Sequence, residues 1–420
     1  MKPIYLPGGI EFYSYRDTRF KQGALSIQFV RLMEKRESAM NALLPAVLLR
    51  GTENYPDLRA ITLHLDDLYG ASVSALVRRV GDYQTTGLYC NFMEDRFALD
   101  GDAILAPMMD FVGDLLLNPL KEKGVFCKDF VESEKKNLIS TIESEINDKR
   151  IYAGSQLLKM MCKGDSFGLP RLGETKDVKT ITPKTLYNHY RKVLEESPVQ
   201  VFYVGSAQPE EVAALLEKQF SKIQRKPVAL AEQTGFCGNS GSHEKESMDV
   251  AQTKLCMGFV TPVTNRTKDF AAMQVLNTVF GGGMTSKLFM HIREKLSLCY
   301  SIGSAYYGTK GILTVSAGID EEKEEIVRAE ILAQLDACRM GKITPEELTA
   351  AKEAVLSALR TIHDSPGAIE GYYSTNALSG LDMEPDAYSK AIAAITAKDV
   401  AEVAKSVTYH SSFVLKGAAQ

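Results

Sequence analysis

The sequence predicts an α+β fold of two tandem homologous domains, each an antiparallel sheet with helices packed on one face. Three observations support this prediction. The chain has 420 residues, which is too long for one ordinary core and suits two domains. A stretch rich in Gly, Ser and Asn lies near the middle. On both sides of that stretch, strand-like and helical patterns follow each other in a similar order.

The first half opens with an alternating strand, two helical stretches and two further strands. Two long amphipathic helices and a short closing strand follow. The predicted ranges are 24–31, 38–50, 57–69, 71–79, 83–92, 102–117, 128–149 and 199–204. The second half repeats this order at 253–260, 268–280, 285–296, 299–307, 312–318, 321–340, 345–362 and 412–415. A repeated order of this kind indicates a duplicated plan of sheet and covering helices.

The break between the halves runs from about Arg225 to Glu246. This segment has no apolar period, and glycine, serine and asparagine are concentrated in it, as in linkers. We therefore expect an N-terminal domain over 1–225, a linker over 226–246 and a C-terminal domain over 247–420.

The composition excludes several classes of protein. Apolar residues make up 45% and charged residues 24%, which is typical of globular proteins. A formal net charge of −4 argues against nucleic-acid and anionic-membrane partners. The N-terminus has no secretory pattern, and no long apolar run predicts a membrane span. The cysteines are scattered without C-x-x-C spacing, so we expect reduced thiols in a cytoplasmic protein; they are Cys90, Cys127, Cys162, Cys237, Cys256, Cys299 and Cys338.

The segment 280–300 carries the strongest functional signal. It reads FGGGMTSKLFMHIREKLSLCY, with a triple glycine before a predicted helix. Gly281, Gly282 and Gly283 have two interpretations. They permit positive φ and a tight helix entry that Thr285 or Ser286 caps. Alternatively, they let a peptide approach the backbone and the free N–H groups of the helix start.

Arg293 and Tyr300 follow in the same segment, seven residues apart. One interpretation is an arginine in an ion pair and a half-buried tyrosine. The other is a cation and a phenol that converge on a peptide carbonyl and stabilise an oxyanion. Both interpretations are open from the residues alone.

The chain resembles the pitrilysin/insulinase family of zinc peptidases over essentially its whole length. The resemblance depends on the segment 280–300 and on several blocks in the family's order. These blocks are LNPL at 117–120, FGLPRLG at 167–173, TPKTLYNHY at 182–190 and VG at 204–205. In this family, the arginine and tyrosine face a zinc site that a different domain builds.

The resemblance places the family's zinc motif, H-x-x-E-H, on residues 42–46. Ala42 and Ala46 then take the histidine positions, and Pro45 takes the position of the general base. On a second helix Glu134 matches an earlier glutamate, but Thr141 takes the position of the third ligand. We therefore expect this chain to bind no metal and to need no cofactor.

The resemblance implies a non-catalytic subunit of a zinc endopeptidase. Such a subunit, similar to the zinc-less subunit of heterodimeric processing peptidases, completes a peptide-binding chamber and supplies Arg293 and Tyr300 in trans. The expected partner is a zinc-bearing homologous subunit or a second copy of the chain, and the substrate is a peptide. Strands over 71–92 offer an edge to which a peptide can add. Here Ser74-Ala75 replaces the Asn-Ala pair of the family pattern.

Two alternatives remain. In the first, the chain is a peptide-binding or structural scaffold, as a homodimer or in a complex without a zinc subunit, and Arg293 and Tyr300 have no catalytic role. In the second, it is an independent enzyme with a new site, although no Ser-His-Asp, Cys-His or phosphate-loop signature is visible.

Overall fold

The computed structural model describes residues 1–236, 238 and 240–417. The strands are β1 (Ile4–Leu6), β2 (Ile10–Arg16), β3 (Gln22–Leu32), β4 (Ser72–Val80), β5 (Tyr83–Met93), β6 (Lys121–Glu122), β7 (Val125–Phe126), β8 (Val199–Gly205), β9 (His243–Met248), β10 (Thr253–Val260), β11 (Cys299–Tyr307), β12 (Ile312–Ile319) and β13 (Thr408–Gly417). The helices are α1 (Ser38–Leu48), α2 (Leu58–Asp67), α3 (Leu105–Leu117), α4 (Lys128–Asn147), α5 (Lys149–Met161), α6 (Thr175–Thr180), α7 (Pro183–Glu196), α8 (Pro209–Phe220), α9 (Phe270–Phe280), α10 (Glu324–Arg339), α11 (Pro345–Arg360), α12 (Pro366–Ser379), α13 (Pro385–Ala394) and α14 (Ala397–Lys405).

Two sheets have the same internal topology. The first has the order β1-β2-β8-β3-β5-β4, and the second, from its other edge, has the order β9-β13-β10-β12-β11. In the first sheet β2 and β8 are parallel and the remaining pairs are antiparallel. In the second, β9 and β13 are parallel and the remaining pairs are antiparallel. The predicted α+β class and the duplicated plan are confirmed.

The chain forms two compact units, and each is assembled from three segments. Unit 1 contains residues 1–143, 169–232 and 362–378. Unit 2 contains residues 144–168, 233–361 and 379–420, of which 418–420 lie outside the described residues. Helix α5, from the first half of the chain, therefore belongs to unit 2. Helix α12, from the second half, belongs to unit 1.

In unit 1, alternation along β3 directs side chains to two different layers. Leu25, Ile27 and Phe29 face the core formed with α1, α3, α7 and α8. Ala24, in the intervening register, packs with Ile369 and Tyr373 of α12. Helices therefore cover the predicted face, and α12 covers part of the opposite face.

Unit 2 shows the same division along β10. Leu255, Met257 and Phe259 are fully buried, and the Phe259 ring meets Phe280 of α9 edge-on at 6.4 Å between centroids. Cys256 points the other way, into a cluster with Leu157 and Met161 of α5. The exchanged helices thus occupy equivalent places in the two units.

Two local predictions need correction. Residues 243–246, expected in the linker, begin strand β9, which pairs with β13 through its backbone. Its side chains are mostly exposed, so its sequence has no apolar pattern that predicts a strand. Residues 285–296 were expected to form an α-helix, but Leu288–Lys295 is π-helical. Leu296 N–H donates to the carbonyl of His291, five residues earlier, at 3.0 Å.

Cysteines 90, 127, 162, 256, 299 and 338 are free thiols, and all except Cys127 are buried. Cys237 lies outside the described residues. Among the described helices, none combines the length and the apolar character needed to cross a membrane.

Candidate functional site

Helix α1, on which the resemblance places the family's zinc motif, is part of the unit 1 core. Leu43, Leu44, Val47 and Leu48 pack in that core, as their apolar pattern predicts. Ala42 and Pro45 are buried beside them, and Ala46 is partly buried. Zinc is held by imidazole, thiolate or carboxylate groups, none of which these three side chains provides.

On α4, Thr141 is exposed, and its hydroxyl donates to the carbonyl of Asn137 in the preceding turn at 3.0 Å. The carboxylate of Glu134, two turns earlier on the same helical face, accepts Arg50 Nη1 at 3.3 Å and Asn137 Nδ2 at 3.1 Å. Glu134 is thus paired with a cation. Within the described part of the chain, no three His, Cys, Asp or Glu side chains are arranged to hold a metal ion. The residues at these positions do not fit zinc.

A buried polar network connects α1 with β5 and α7. His189 Nε2 and Asn41 Oδ1 are 2.6 Å apart, and Asn41 Nδ2 donates to Gln84 Oε1 at 2.9 Å. Because the amide nitrogen of Asn41 is committed to Gln84, its oxygen accepts the Nε2 proton of His189. Burial lowers the pKa of His189 to about 4, so its imidazole is neutral at pH 7. His189 lies in the block 182–190, but its sequence pattern gave no sign of this partner.

The glycine loop follows α9. Gly281 N–H and Gly282 N–H both donate to the carbonyl of Asn277, at 3.0 and 2.9 Å, and the carbonyl of Gly281 accepts Ser304 N–H at 2.9 Å. None of the three glycines has positive φ, so that expectation is wrong. Space is the constraint instead. A Cβ on Gly281 would lie 2.7 Å from Ser304 Oγ, and one on Gly282 would lie 2.8 Å from Thr278 Cα.

Gly283 differs from its two neighbours. A Cβ there would meet nothing within 4 Å, and the residue is exposed. Ser286, which was expected to cap the helix, accepts Phe289 N–H on its hydroxyl at 3.4 Å. Gly281 and Gly282 are therefore explained by packing, whereas Gly283 has no packing requirement.

Arg293 lies on the π-helical segment, whose buried side is formed by Leu288 and Ile292. Its guanidinium stacks 4.6 Å from the ring centroid of Phe289 and lies 3.9 Å from the carboxylate of Glu294. The side chain is 41% exposed. The stacking restricts the guanidinium to one side of the segment without covering it.

Tyr300 is 60% exposed, so the expectation of a half-buried tyrosine is wrong. The pairing of β11 with β12 shifts between Cys299 and Ser301, so Tyr300 occupies a β-bulge. Its phenol donates to Asp320 Oδ1 at 3.1 Å, and Asp320 also pairs with Lys323 at 2.9 Å. The bulge and this carboxylate together direct the phenol towards solvent.

Cys299 links the two residues in space. Burial raises the pKa of its thiol to about 11, and the nearby positive charges of Arg293 and Lys323 oppose that effect. The charge of Arg293 therefore acts on the thiol of Cys299, the residue that precedes Tyr300. Arg293 and Tyr300 thus lie on consecutive elements of unit 2, and both side chains reach solvent.

Strands at the sheet edges are available on both units. β4 is the edge of the first sheet, and Ser74 and Ala75 on it are exposed. β11, which carries Tyr300, is the edge of the second sheet. Edge strands present unpaired backbone groups that an extended peptide can complete.

Comparisons with known proteins agree with this geometry. The family model described as Peptidase M16 inactive domain matches residues 180–355. A Bacillus subtilis protein named probable inactive metalloprotease YmfF is 28% identical over 418 residues, which cover 98% of this chain and 96% of that protein. The crystal structure of a conserved protein from Enterococcus faecalis V583 has a TM-score of 0.91 at 26% identity and covers 98% of this chain and 97% of its own.

Residues 180–355 thus match an M16 family model, and relatives at 26–28% identity extend the similarity to nearly the whole chain. The crystal structure of a peptidase M16 inactive domain from Pseudomonas fluorescens has a TM-score of 0.80 and covers 100% of this chain and 98% of its own. At 16% identity it shows the fold alone. The resemblance drawn from the sequence is thus confirmed. The matched M16 segment contains the glycine loop, Arg293 and Tyr300, and it excludes α1 and Thr141.

Sequence reasoning missed the residues that hold the predicted pair in place. Asp320 lies 20 residues after Tyr300, and Phe289 lies one turn before Arg293. Asp320 precedes a run of acidic residues that reads as an ordinary solvated helix start. Only the pairing of β11 with β12 shows that it faces the phenol.

Proposed function

We propose that this M16 member is a non-catalytic subunit of a zinc metalloendopeptidase, which supplies Arg293 and Tyr300 to the active site of a zinc-bearing homologous partner. The observation that carries the proposal is the contrast between its two candidate regions. The metal-binding positions on α1 and α4 contain Ala42, Pro45, Ala46 and Thr141. Arg293 and Tyr300, by contrast, have side chains with hydrogen-bond donors that reach solvent.

The chemistry of the two side chains suits this role. A guanidinium and a phenol are both hydrogen-bond donors, and donors that face a peptide carbonyl stabilise the oxyanion that forms when water attacks it. The guanidinium remains charged at neutral pH. The phenol needs to leave Asp320 in order to donate its proton to the substrate, and at the surface such a hydrogen bond is easily exchanged.

Peptide binding in this proposal uses backbone as well as side chains. A peptide adds as an extended strand to the edge strand β11 and passes Gly283 of the same unit, where no side chain blocks its approach. The edge strand β4 of unit 1 is a second place where a peptide can add. Zinc belongs to the partner subunit only, so the isolated chain hydrolyses no peptide. The name of the Bacillus subtilis relative, a probable inactive metalloprotease, supports this view. Six free thiols among the described residues favour a reducing, cytoplasmic setting.

The test begins with the partner. The tagged chain is purified from its own host, and the copurifying protein is identified and examined for the complete H-x-x-E-H motif. The two purified proteins are then assayed separately and together on a quenched peptide library, with zinc measured in each. We expect zinc in the partner only and cleavage only by the mixture.

Variants then test the contribution in trans. Arg293→Ala should lower turnover by the pair by about 100-fold, as the loss of one oxyanion donor does, without separating the subunits. Lys295→Ala removes a positive charge from the same segment and is the matched control. Equal turnover in the two variants contradicts the role of Arg293. Zinc in this chain, with cleavage by it alone, contradicts the whole proposal.

A second candidate function is a scaffold, and one observation favours it. Tyr300 is hydrogen-bonded to Asp320 and Arg293 is stacked on Phe289, so both side chains already have partners within their own unit. A scaffold would purify as a homodimer or in a complex without a zinc-bearing subunit. Its peptide binding and oligomeric state would not change in Arg293→Ala or Tyr300→Phe.

A further inference from the structure

Unit 1 contains an open cleft of about 570 Å³ between α2, α3 and the end of α8. Volumes of this size accommodate small molecules. The lining uses neither the positions of the zinc motif nor Arg293 and Tyr300. An inference about this cleft is therefore independent of the proposed function.

One end of the cleft is rich in hydrogen-bond acceptors. Asp114 is a buried carboxylate that accepts Thr52 Oγ1 at 2.5 Å and the side-chain amides of Asn54 and Asn118 at 2.9 Å. All three donors are neutral, and among the described residues no cation forms an ion pair with Asp114. Because both amide nitrogens are used on Asp114, the amide oxygens of Asn54 and Asn118 are left to face other groups. This end suits an ammonium group.

The other end is basic. Lys218 forms an ion pair with Asp110 at 2.9 Å. Lys222 donates to the neutral amide oxygen of Gln219 at 2.6 Å, and in the described part of the chain no carboxylate lies within ion-pair distance of it. The hydrogen bond from Lys218 is the main cause that lowers the pKa of Asp110, and the more distant charge of Lys222 adds to it. Two exposed cations thus share one carboxylate, and the excess positive charge suits the carboxylate of a ligand.

An aromatic wall joins the two ends. The rings of Tyr55 and His64 lie 4.6 Å apart, and Phe111 lies 5.0 Å from Tyr55, edge-on, and 4.8 Å from His64. The three rings are already packed against each other, so the wall is preformed. A flat apolar group of a ligand can pack on it without rearrangement.

The spacing on α3 matches a small ligand. Asp110, Asp114 and Asn118 are four residues apart and share one helical face, with about 6 Å of axial rise between successive members. Lys218 is bound to Asp110, and Lys222 is connected to Asp110 through the amide of Gln219, so the acceptor end and the basic end are separated by about one to two helical turns. The ammonium and carboxylate of one amino acid or dipeptide, with their hydrogen bonds, span such a distance.

We propose that this cleft binds a small zwitterion with an aromatic side chain, an α-amino acid or a dipeptide. Its ammonium group binds Asp114 and the amide oxygens of Asn54 and Asn118. Its carboxylate binds Lys222, and its ring packs on the wall of Tyr55, His64 and Phe111.

L-phenylalanine is the probe, added to the full-length protein and followed by calorimetry and by saturation-transfer NMR. Three analogues each lack one feature: N-acetyl-L-phenylalanine has no ammonium, phenethylamine has no carboxylate and L-alanine has no ring. We expect L-phenylalanine to bind at least about tenfold more tightly than each analogue. Absence of binding at millimolar concentration, or equal binding of phenylalanine and its analogues, overturns the proposal.

Two exposed variants locate the site. Lys222→Gln should weaken phenylalanine binding about tenfold and leave phenethylamine unaffected, because only the carboxylate contact is lost. Asn118→Ala should weaken phenylalanine and phenethylamine alike. Lys226→Gln, at an exposed lysine outside the cleft, is the matched control and should bind like the original chain. Unchanged affinity in both cleft variants places the ligand elsewhere and also overturns the proposal.

Discussion

Arg78 on β4 donates from Nη1 and Nη2 to the two carboxylate oxygens of Glu370 on α12, each at 2.8 Å, across 292 residues of sequence. The Glu370 side chain is fully buried and also accepts Ser26 Oγ at 2.6 Å and Gln28 Nε2 at 3.2 Å. A segment of the second half of the chain is thus attached to the first sheet by a charged group that water does not reach. Removal of either partner leaves a charge without compensation.

We therefore expect Glu370→Ala to lower the free energy of unfolding of unit 1 by about 3–5 kcal/mol. Hydrogen exchange of the β3 and β5 amides, measured by mass spectrometry, reports this change locally. Glu353→Ala is the control, because its ion pair with Arg360 is exposed and contributes less than about 1 kcal/mol. Similar exchange rates in the two variants would show that the contact of α12 with the sheet does not depend on Glu370.

Lys310 and Asp165 form the corresponding buried pair of unit 2. Their Nζ–Oδ2 distance is 2.9 Å, and their side chains are 0% and 4% exposed. Lys310→Met leaves Asp165 as a buried charge and should lower the free energy of unfolding by about 3 kcal/mol. The double variant Lys310→Met/Asp165→Leu should recover part of that loss, because both charges are then absent. Thermal unfolding of the two variants checks this, and a double variant less stable than the single one contradicts it.

His189 predicts an acid sensitivity. Burial is the main cause that lowers its pKa from 6.5 to about 4, so the unfolded chain takes up a proton in this interval and the folded chain does not. Neutral His189 therefore makes its full contribution to the free energy of unfolding above pH 6.5. As the pH falls from 6.5 towards 4, the free energy of unfolding decreases by about 3 kcal/mol. Urea denaturation at a series of pH values measures it. His189→Gln should be less stable at pH 7 and show a smaller loss below pH 6.5. The same pH dependence in both proteins would assign it to another group.

Variants of the glycine loop distinguish a packing role, at Gly281 and Gly282, from a peptide-binding role, at Gly283. Ala at Gly281 or Gly282 would contact Ser304 Oγ or Thr278 Cα at 2.7 or 2.8 Å, and we expect each variant to lose about 1–3 kcal/mol. Gly283→Ala meets nothing within 4 Å and should leave stability unchanged or raise it by up to about 1 kcal/mol. If peptides pass Gly283, the Gly283→Ala variant will bind peptide more weakly in the complex with the zinc-bearing partner, although its stability is not reduced. Destabilisation by Gly283→Ala would contradict the open space found there.

Local pattern was sufficient for most of the strands and helices. Thr253–Val260 and Cys299–Tyr307 have the predicted bounds, because alternation and apolar periodicity follow from which face each residue buries. The side chains of Ala42, Ala46 and Thr141, where the resemblance places zinc ligands, are likewise known from the sequence, and they offer no zinc-binding group. The sequence did not predict strand β9, because its polar side chains are exposed and only its backbone pairs with β13.

The sequence alone therefore determined the α+β plan and the resemblance to M16 peptidases, both of which are properties of short segments and their order. The tertiary structure decided which helix joins which sheet, which groups hold Arg293 and Tyr300, and that Asp114 and Lys222 line one cleft. These features depend on contacts between residues far apart in the chain. Such contacts form when buried surfaces and charges find complementary partners, and no periodicity within a single segment encodes them.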